Sequence, residues 1–237
     1  MQWTDTCGPV ALVGSGEYLP SMANIEGNLL AGRPKLYVQI ATAATPDGPN
    51  VVAKWERLGQ EQAKRLDVEA VTLKVYDNDD ANSPDIAEMV RGAGLIYLSG
   101  GHPTFLADTL RDSLVWRAII SEWSNGAALA GCSAGAMVMS SWVPSVRNIL
   151  HGGTPGLDVV SNLRIIPHYD AYFSKLPDLF ARFGLGKSGD VTVIGIDEET
   201  ALVGGPNEWR VEGSGSAWII AKDEKQEFPS GTTVQLH

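Results

Sequence analysis

The sequence predicts an α/β protein: a mostly parallel sheet covered by helices on both faces, with a small β region at its C-terminal end. Two observations carry this. Short apolar runs alternate with segments whose apolar residues recur at helical spacing, the pattern of strands joined by crossover helices. Several of the runs end in glycine-rich turns, and at the carboxyl ends of such strands ligands gather. With 237 residues, 44% of them apolar, the chain can bury one sizeable core, so a single domain over 1–237 is expected.

Residues 10–14 read as an apolar strand that ends in Gly14-Ser15-Gly16-Glu17. A dinucleotide fingerprint would need a third glycine and a following helix. Leu19-Pro20 stands there instead, so no nucleotide cofactor is expected. Residues 35–44 form the next strand, closed by a loop at 45–49. Over 50–66, Val52, Trp55, Leu58 and Leu66 recur at helical spacing between charges, which predicts an amphipathic helix with Trp55 in the core. A third strand covers 68–75 and a polar loop 77–83. Asp79, Asp80 and Asp85 lack the spacing of a calcium loop. Ser83 as N-cap and Pro84 at the first position predict a helix over 84–91. Residues 94–99 are a fourth strand ending in Gly100-Gly101-His102-Pro103, followed by helices at 104–111 and 114–125.

The stretch 127–139, AALAGCSAGAMVM, is the centre of the reading. An apolar run meets Gly-x-Ser-x-Gly and a small-residue run follows, which predicts a strand, a sharp turn and a helix. That is the setting of a nucleophile elbow, in which a strained turn lifts one hydroxyl above the sheet edge. Ser133 is the residue displayed, beside helix N–H groups that favour a developing oxyanion. Cys132 falls in the x position and is expected to point back into the sheet as a buried small hydrophobe.

Beyond Ser141 the texture changes. A glycine-rich stretch carries His151, and an apolar run over 157–167 delivers His168. A helix is expected at 176–183 and a strand at 191–196, leading to Asp197-Glu198-Glu199. Short strands follow at 200–203, 209–211 and 217–220, and the tail beyond Lys222 reads as surface.

A serine nucleophile needs a base. Of four histidines, His237 is the last residue, His102 follows the glycine pair, and His151 sits among glycines. His168, where an apolar strand runs out into polar sequence, is the favoured base. A carboxylate must then orient the ring. Glu198 is at a strand end with Asp197 and Glu199 on either side; strand alternation lets only some of the three face one way, and spacing does not choose among them. The order Ser, His, acid departs from the α/β-hydrolase order of Ser, acid, His. A set of Ser133, Asp158 and His168 would restore that order but leaves little chain for the strand and helix that usually separate the last two.

Composition excludes other classes. Lys and Arg number 18 against 28 acids, a formal charge of −10, which repels phosphate backbones and makes nucleic acid an unexpected partner. The same acidity suits a cationic or zwitterionic small substrate. No run of about 18 apolar residues exists, so no membrane span is expected. The first residues lack a basic n-region and a long apolar core, so a cytoplasmic protein is expected. Cys7 and Cys132 are far apart and in unlike contexts, and no metal-binding spacing is present, so neither a disulfide nor a metal is expected. The seven tryptophans are expected mostly in the core; exposed ones would mark a homodimer surface.

Gly131-Cys132-Ser133-Ala134-Gly135-Ala136, Leu98-Ser99-Gly100-Gly101, Ile166-Pro167-His168 and Gly195-Ile196-Asp197-Glu198-Glu199-Thr200-Ala201-Leu202 together carry a resemblance. They span 98–202, and Gly14-Ser15-Gly16-Glu17 fits as well. The chain resembles the dipeptidase E and cyanophycinase family of serine peptidases, related in fold to class I glutamine amidotransferases. The resemblance implies a flavodoxin-like three-layer α/β/α fold and a Ser–His–Glu triad at Ser133, His168 and Glu198. It implies also an oxyanion hole from the main-chain N–H groups of Gly101 and Ala134, and a small aspartyl or β-aspartyl peptide as substrate. His102 and Glu17 are candidates for holding that peptide, Glu17 through its amine. His102-Pro103 stands where relatives carry Asn or Asp followed by Gln or Thr, and the arginine-rich pattern of cyanophycinases near the histidine is absent. Reaction class therefore carries over better than substrate. The readings from other classes are a non-catalytic binding protein of the same fold and a non-peptide esterase or amidase.

Overall fold

The computed structural model describes residues 3–145, 152–173, 191–221 and 224–236. Among these residues the main sheet has eight strands. Its parallel part is β1 (Val10–Val13), β5 (Ala128–Cys132), β4 (Leu95–Leu98), β2 (Leu36–Ile40) and β3 (Glu69–Leu73), adjacent in that order. Antiparallel to β1 runs β10 (Thr200–Gly204), followed outward by β11 (Glu208–Gly213) and β14 (Thr233–Gln235).

Strand alternation divides the core in two. Val10, Leu12, Val38, Ile40, Ile96, Leu98 and Leu129 face one way, against α3 (Asn78–Ala81), α4 (Pro84–Glu88), α5 (Pro103–Leu110) and α6 (Leu114–Ser124). Ala11, Val13, Tyr37, Leu95, Tyr97, Ala128, Ala130 and Cys132 face the other way, against α1 (Ala23–Leu30) and α2 (Pro49–Arg65). Cys132 thus points back into the sheet as expected. The caps follow the local chemistry: the Ser83 hydroxyl accepts the Ile86 N–H, and Ser113 does the same for Trp116.

Several boundaries differ from the sequence reading. The strand expected at 35–44 stops at Ile40, because its partner β4 ends opposite it at Leu98. The chain then coils into a 3₁₀ turn, Thr42–Asp47, where a loop was expected at 45–49. The polar loop at 77–83 contains α3, capped by the Asp77 carboxylate. Helix α1 was not read at all: its eight residues include Gly27 and two asparagines, and only Ile25, Leu29 and Leu30 mark its apolar side. Trp116, Trp123 and Trp209 are buried, while Trp3, Trp55, Trp142 and Trp218 are half-buried. No tryptophan is left exposed to mark an interface.

The C-terminal β region is larger than expected and splits between two sheets. Strands β10, β11 and β14 extend the main one. A second sheet is made by β8 (Leu163–Ile166), β9 (Thr192–Ile196), β12 (Ser216–Ile220) and β13 (Lys225–Pro229), with β8 and β9 parallel. A hairpin of β6 (Trp142–Pro144) and β7 (Gly153–Pro155) lies between. The tail beyond Lys222 is therefore not plain surface; Val234 and Leu236 are 2% exposed, because a strand too short to show its alternation still seals the sheet edge. The helix expected at 176–183, His151 and His237 lie outside the described residues. No helix among the described residues is long and apolar enough to cross a membrane.

One buried acid makes the fold sensitive to pH. Glu26 on α1 is 2% exposed and accepts the Tyr37 hydroxyl at 2.8 Å. Burial pushes its carboxyl from 4.5 up to about 7, outweighing the opposing effects of Tyr37, Gln62 and Arg65. Across that window the folded chain holds a proton that the unfolded chain has released. Stability therefore falls as pH rises through it, by about 3 kcal/mol from this group alone. Urea denaturation is expected to show Glu26→Gln with a flatter pH profile and greater stability than the parent above pH 7; a profile unchanged from the parent would contradict the assignment.

Candidate active site

Ser133 follows β5 with φ 50° and ψ −109°, outside the regions an L-residue normally occupies. The neighbouring β1 and the turn that follows hold it there. Its N–H donates to the Val13 carbonyl of β1 at 2.9 Å, and its carbonyl accepts the N–H groups of Ala136 and Met137 at 3.1 and 3.0 Å. The helix that follows, α7 (Ala134–Met137), is a single turn. The flanking glycines are required by close approach. A Cβ on Gly131 would lie 2.3 Å from the Gly135 carbonyl oxygen, and one on Gly135 would lie 2.2 Å from that of Leu98. Strain at a displayed hydroxyl, held by its surroundings, is the geometry of a nucleophile elbow.

His168 and Glu198 come from the second sheet and not from the rim of the first. β8 and β9 run parallel with Ile166 opposite Gly195, so the residues after each strand emerge at the same end. There His168 Nε2 is 3.0 Å from Ser133 Oγ and its Nδ1 is 2.9 Å from Glu198 Oε1. The His168 and Glu198 side chains are 28% and 44% exposed, so solvent reaches the pair. A carboxylate on Nδ1 fixes the tautomer that leaves Nε2 bare toward the hydroxyl, the arrangement in which a ring can take a proton from serine.

The other two acids are occupied elsewhere. Asp197 is buried, and its carboxylate accepts the Ser216 N–H and the Trp218 indole N–H, both at 2.9 Å. Burial pushes its carboxyl above the usual range. Glu199 accepts the Ser21 hydroxyl at 2.6 Å. Asp170, which sequence reasoning passed over, accepts the Glu198 N–H at 2.9 Å and ties the two strand ends together. Nothing in the sequence marks it, since only the β8–β9 register brings it there.

Close to Ser133 lies the glycine pair after β4; a Cβ on Gly100 would lie 3.4 Å from the Ser133 Cβ. Among the described residues no protein acceptor takes the N–H of Gly101 or of Ala134. His102 is paired through Nε2 with Asp47 Oδ1 at 2.8 Å, a partner on the 3₁₀ turn that sequence spacing did not suggest. Glu17 is 8% exposed, below the glycine pair, and both its oxygens are used: Oε1 accepts the Gly100 N–H at 3.0 Å and Oε2 the Cys132 thiol at 2.9 Å. Cys132 is thus more than a small hydrophobe. Burial first, and then the Glu17 charge, push its thiol up, so it stays protonated and is no rival nucleophile. No group of three or more His, Cys, Asp or Glu side chains among the described residues could hold a metal ion.

The family model of peptidase family S51 matches residues 11–209. Among solved structures, the crystal structure of a peptidase from an acI-B1 Actinobacterium is 41% identical, with a TM-score of 0.88 and 97% of each chain covered. The 1.5 Å crystal structure of a putative peptidase E protein from Listeria monocytogenes EGD-e is 16% identical, with a TM-score of 0.58; it covers 94% of this chain and 98% of its own, and shares the fold. No curated protein matches.

The hydrogen-bond pattern separates the three neighbouring acids. Steady-state assays are expected to show Glu198→Gln losing about 10²–10⁴-fold in kcat. Asp197→Asn is expected to lower the melting temperature with turnover largely kept. Equal kcat losses for both variants would contradict the assignment.

Proposed function

Because the chain belongs to peptidase family S51 and is a serine-type peptidase, we propose that it cleaves small peptides through an acyl-enzyme on Ser133, with a Ser133–His168–Glu198 triad. The observation that carries this is the unbroken pair of hydrogen bonds from Glu198 through His168 to the strained Ser133, at 2.9 and 3.0 Å.

In this reading His168 Nε2 takes the hydroxyl proton as Ser133 attacks the scissile carbonyl. Glu198 stays ionised and stabilises the imidazolium. The N–H groups of Gly101 and Ala134 receive the oxyanion, a contribution worth roughly 10²–10³ in rate per donor. The imidazolium then returns its proton to the leaving amine, and water, activated by the same ring, releases the acyl group. The likeness to class I glutamine amidotransferases belongs to this proposal too: the nucleophile sits at a carboxyl end of a parallel sheet, with the glycine pair on the neighbouring strand. The net charge of −10 draws the ammonium end of a short peptide. The resemblance to the dipeptidase E and cyanophycinase family makes aspartyl and β-aspartyl peptides the first substrates to test.

A fluorophosphonate probe is expected to label Ser133 in the wild type, located by mass spectrometry, and to leave Ser133→Ala unlabelled, with kcat of that variant down by at least about 10⁴-fold. Absence of labelling in the wild type would contradict the triad. In a panel of aspartyl dipeptides, β-aspartyl peptides and simple esters, the highest kcat/KM is expected on an aspartyl peptide, and a flat profile would refute the peptide preference.

A further inference from the structure

We propose that Glu17 is a positioning residue for the oxyanion hole: its buried carboxylate accepts the Gly100 N–H, fixes the Ser99–Gly100 peptide, and so keeps the next peptide with its Gly101 N–H turned toward a carbonyl bound at Ser133. This rests on the reading of Ser133 as nucleophile and Gly101 as donor.

The topology makes the arrangement possible. β5 lies between β1 and β4 in the main sheet. Glu17 leaves the end of β1, Cys132 closes β5 and Gly100 follows β4, so a single carboxylate links the ends of three adjacent strands. Burying such a group is costly unless its oxygens are paired, and here each oxygen has a donor. Gly100 lies between the acid and Ser133. A Cβ on Gly100 would lie 2.7 Å from Glu17 Oε1 and 3.4 Å from Ser133 Cβ.

Two consecutive glycines form the least constrained backbone a chain can have, yet a donor must be aimed to stabilise an oxyanion. The structure pins the peptides on both sides of the Gly100–Gly101 unit. Glu17 holds the one before it through the Gly100 N–H, and the Ala43 carbonyl holds the one after it through the His102 N–H at 2.7 Å. Between these anchors Gly101 adopts φ +140°, a conformation that side chains rarely allow, and a Cβ there would sit 2.3 Å from the Ala43 oxygen. With Glu17 removed, only one anchor is left. The placement also accounts for an acid that looked, from sequence, like a contact for a substrate amine: its oxygens are turned inward.

The test compares Glu17→Leu, which keeps the bulk and loses the acceptor, with Glu17→Gln, which keeps an acceptor for Gly100 and an amide that can donate to the Cys132 sulfur. Measured are kcat and KM on the peptide that the wild type cleaves best, inhibition by a peptide aldehyde that forms a tetrahedral adduct, and melting temperature. Glu17→Leu is expected to lose about 10–10²-fold in kcat with KM nearly constant, and aldehyde affinity is expected to fall by the same factor. Glu17→Gln is expected to recover most of that loss. If Glu17→Leu does not fold, Glu17→Asp, one methylene too short to reach both partners, is expected to show the same parallel loss of kcat and aldehyde affinity. A variant that loses melting temperature while keeping kcat and aldehyde affinity would overturn the proposal, as would equal losses in Glu17→Leu and Glu17→Gln. A wild type that neither labels at Ser133 nor cleaves peptides would instead overturn the functional reading beneath it.

Discussion

An imidazole serves a hydroxyl only if it is held in one orientation, and here the meeting of two sheets does the holding. The main sheet presents Ser133 at the end of β5. The second sheet presents His168 and Glu198 from adjacent parallel strands, and their spacing lets one ring bridge the gap with hydrogen bonds of 3.0 and 2.9 Å. Asp170 reinforces this by taking the Glu198 N–H. Met137 on α7 packs with Ile166, Tyr169, Val193 and Ile220, so the turn after the serine is also part of the joint between sheets.

The same economy appears around the serine itself. The strained Ser133 backbone is held by Val13 on β1, and the glycine pair after β4 is reached by Glu17 from the end of β1. Both neighbours of β5 thus contribute to the site: β1 through the Val13 carbonyl and the buried Glu17 that follows it, and β4 through the glycine pair after its end. Local strain of this kind persists only where surrounding contacts over-determine it.

What could be read from the sequence was what depends on near neighbours. The glycines around Ser133 are written into the chain as a five-residue motif: a Cβ on Gly131 would meet the Gly135 oxygen at 2.3 Å, a local constraint, while one on Gly135 would meet Leu98 on the neighbouring β4. The apolar strand runs and the helix caps at Ser83 and Ser113 were likewise local. The tie between His168 and Glu198 spans 30 residues and depends on β8 pairing with β9. Apolar runs mark strands but do not say which sheet they join. For that reason the C-terminal strands read as a minor appendage, while the structure divides them between two sheets. The choice among Asp197, Glu198 and Glu199 turned on distant donors, Ser216, Trp218 and Ser21, that no spacing rule supplies. Glu17 was noticed for its charge beside a glycine turn, but its inward direction follows from the order β1-β5-β4.

The central claim is that the peptide's acyl group passes through Ser133. The most direct measurement is rapid acid quench of wild-type enzyme turning over an aspartyl peptide, followed by mass spectrometry of the digested chain. The account predicts an added acyl mass on the fragment that carries Ser133, localised to that residue and formed before steady state. An adduct on Cys132 or on any other side chain would contradict it.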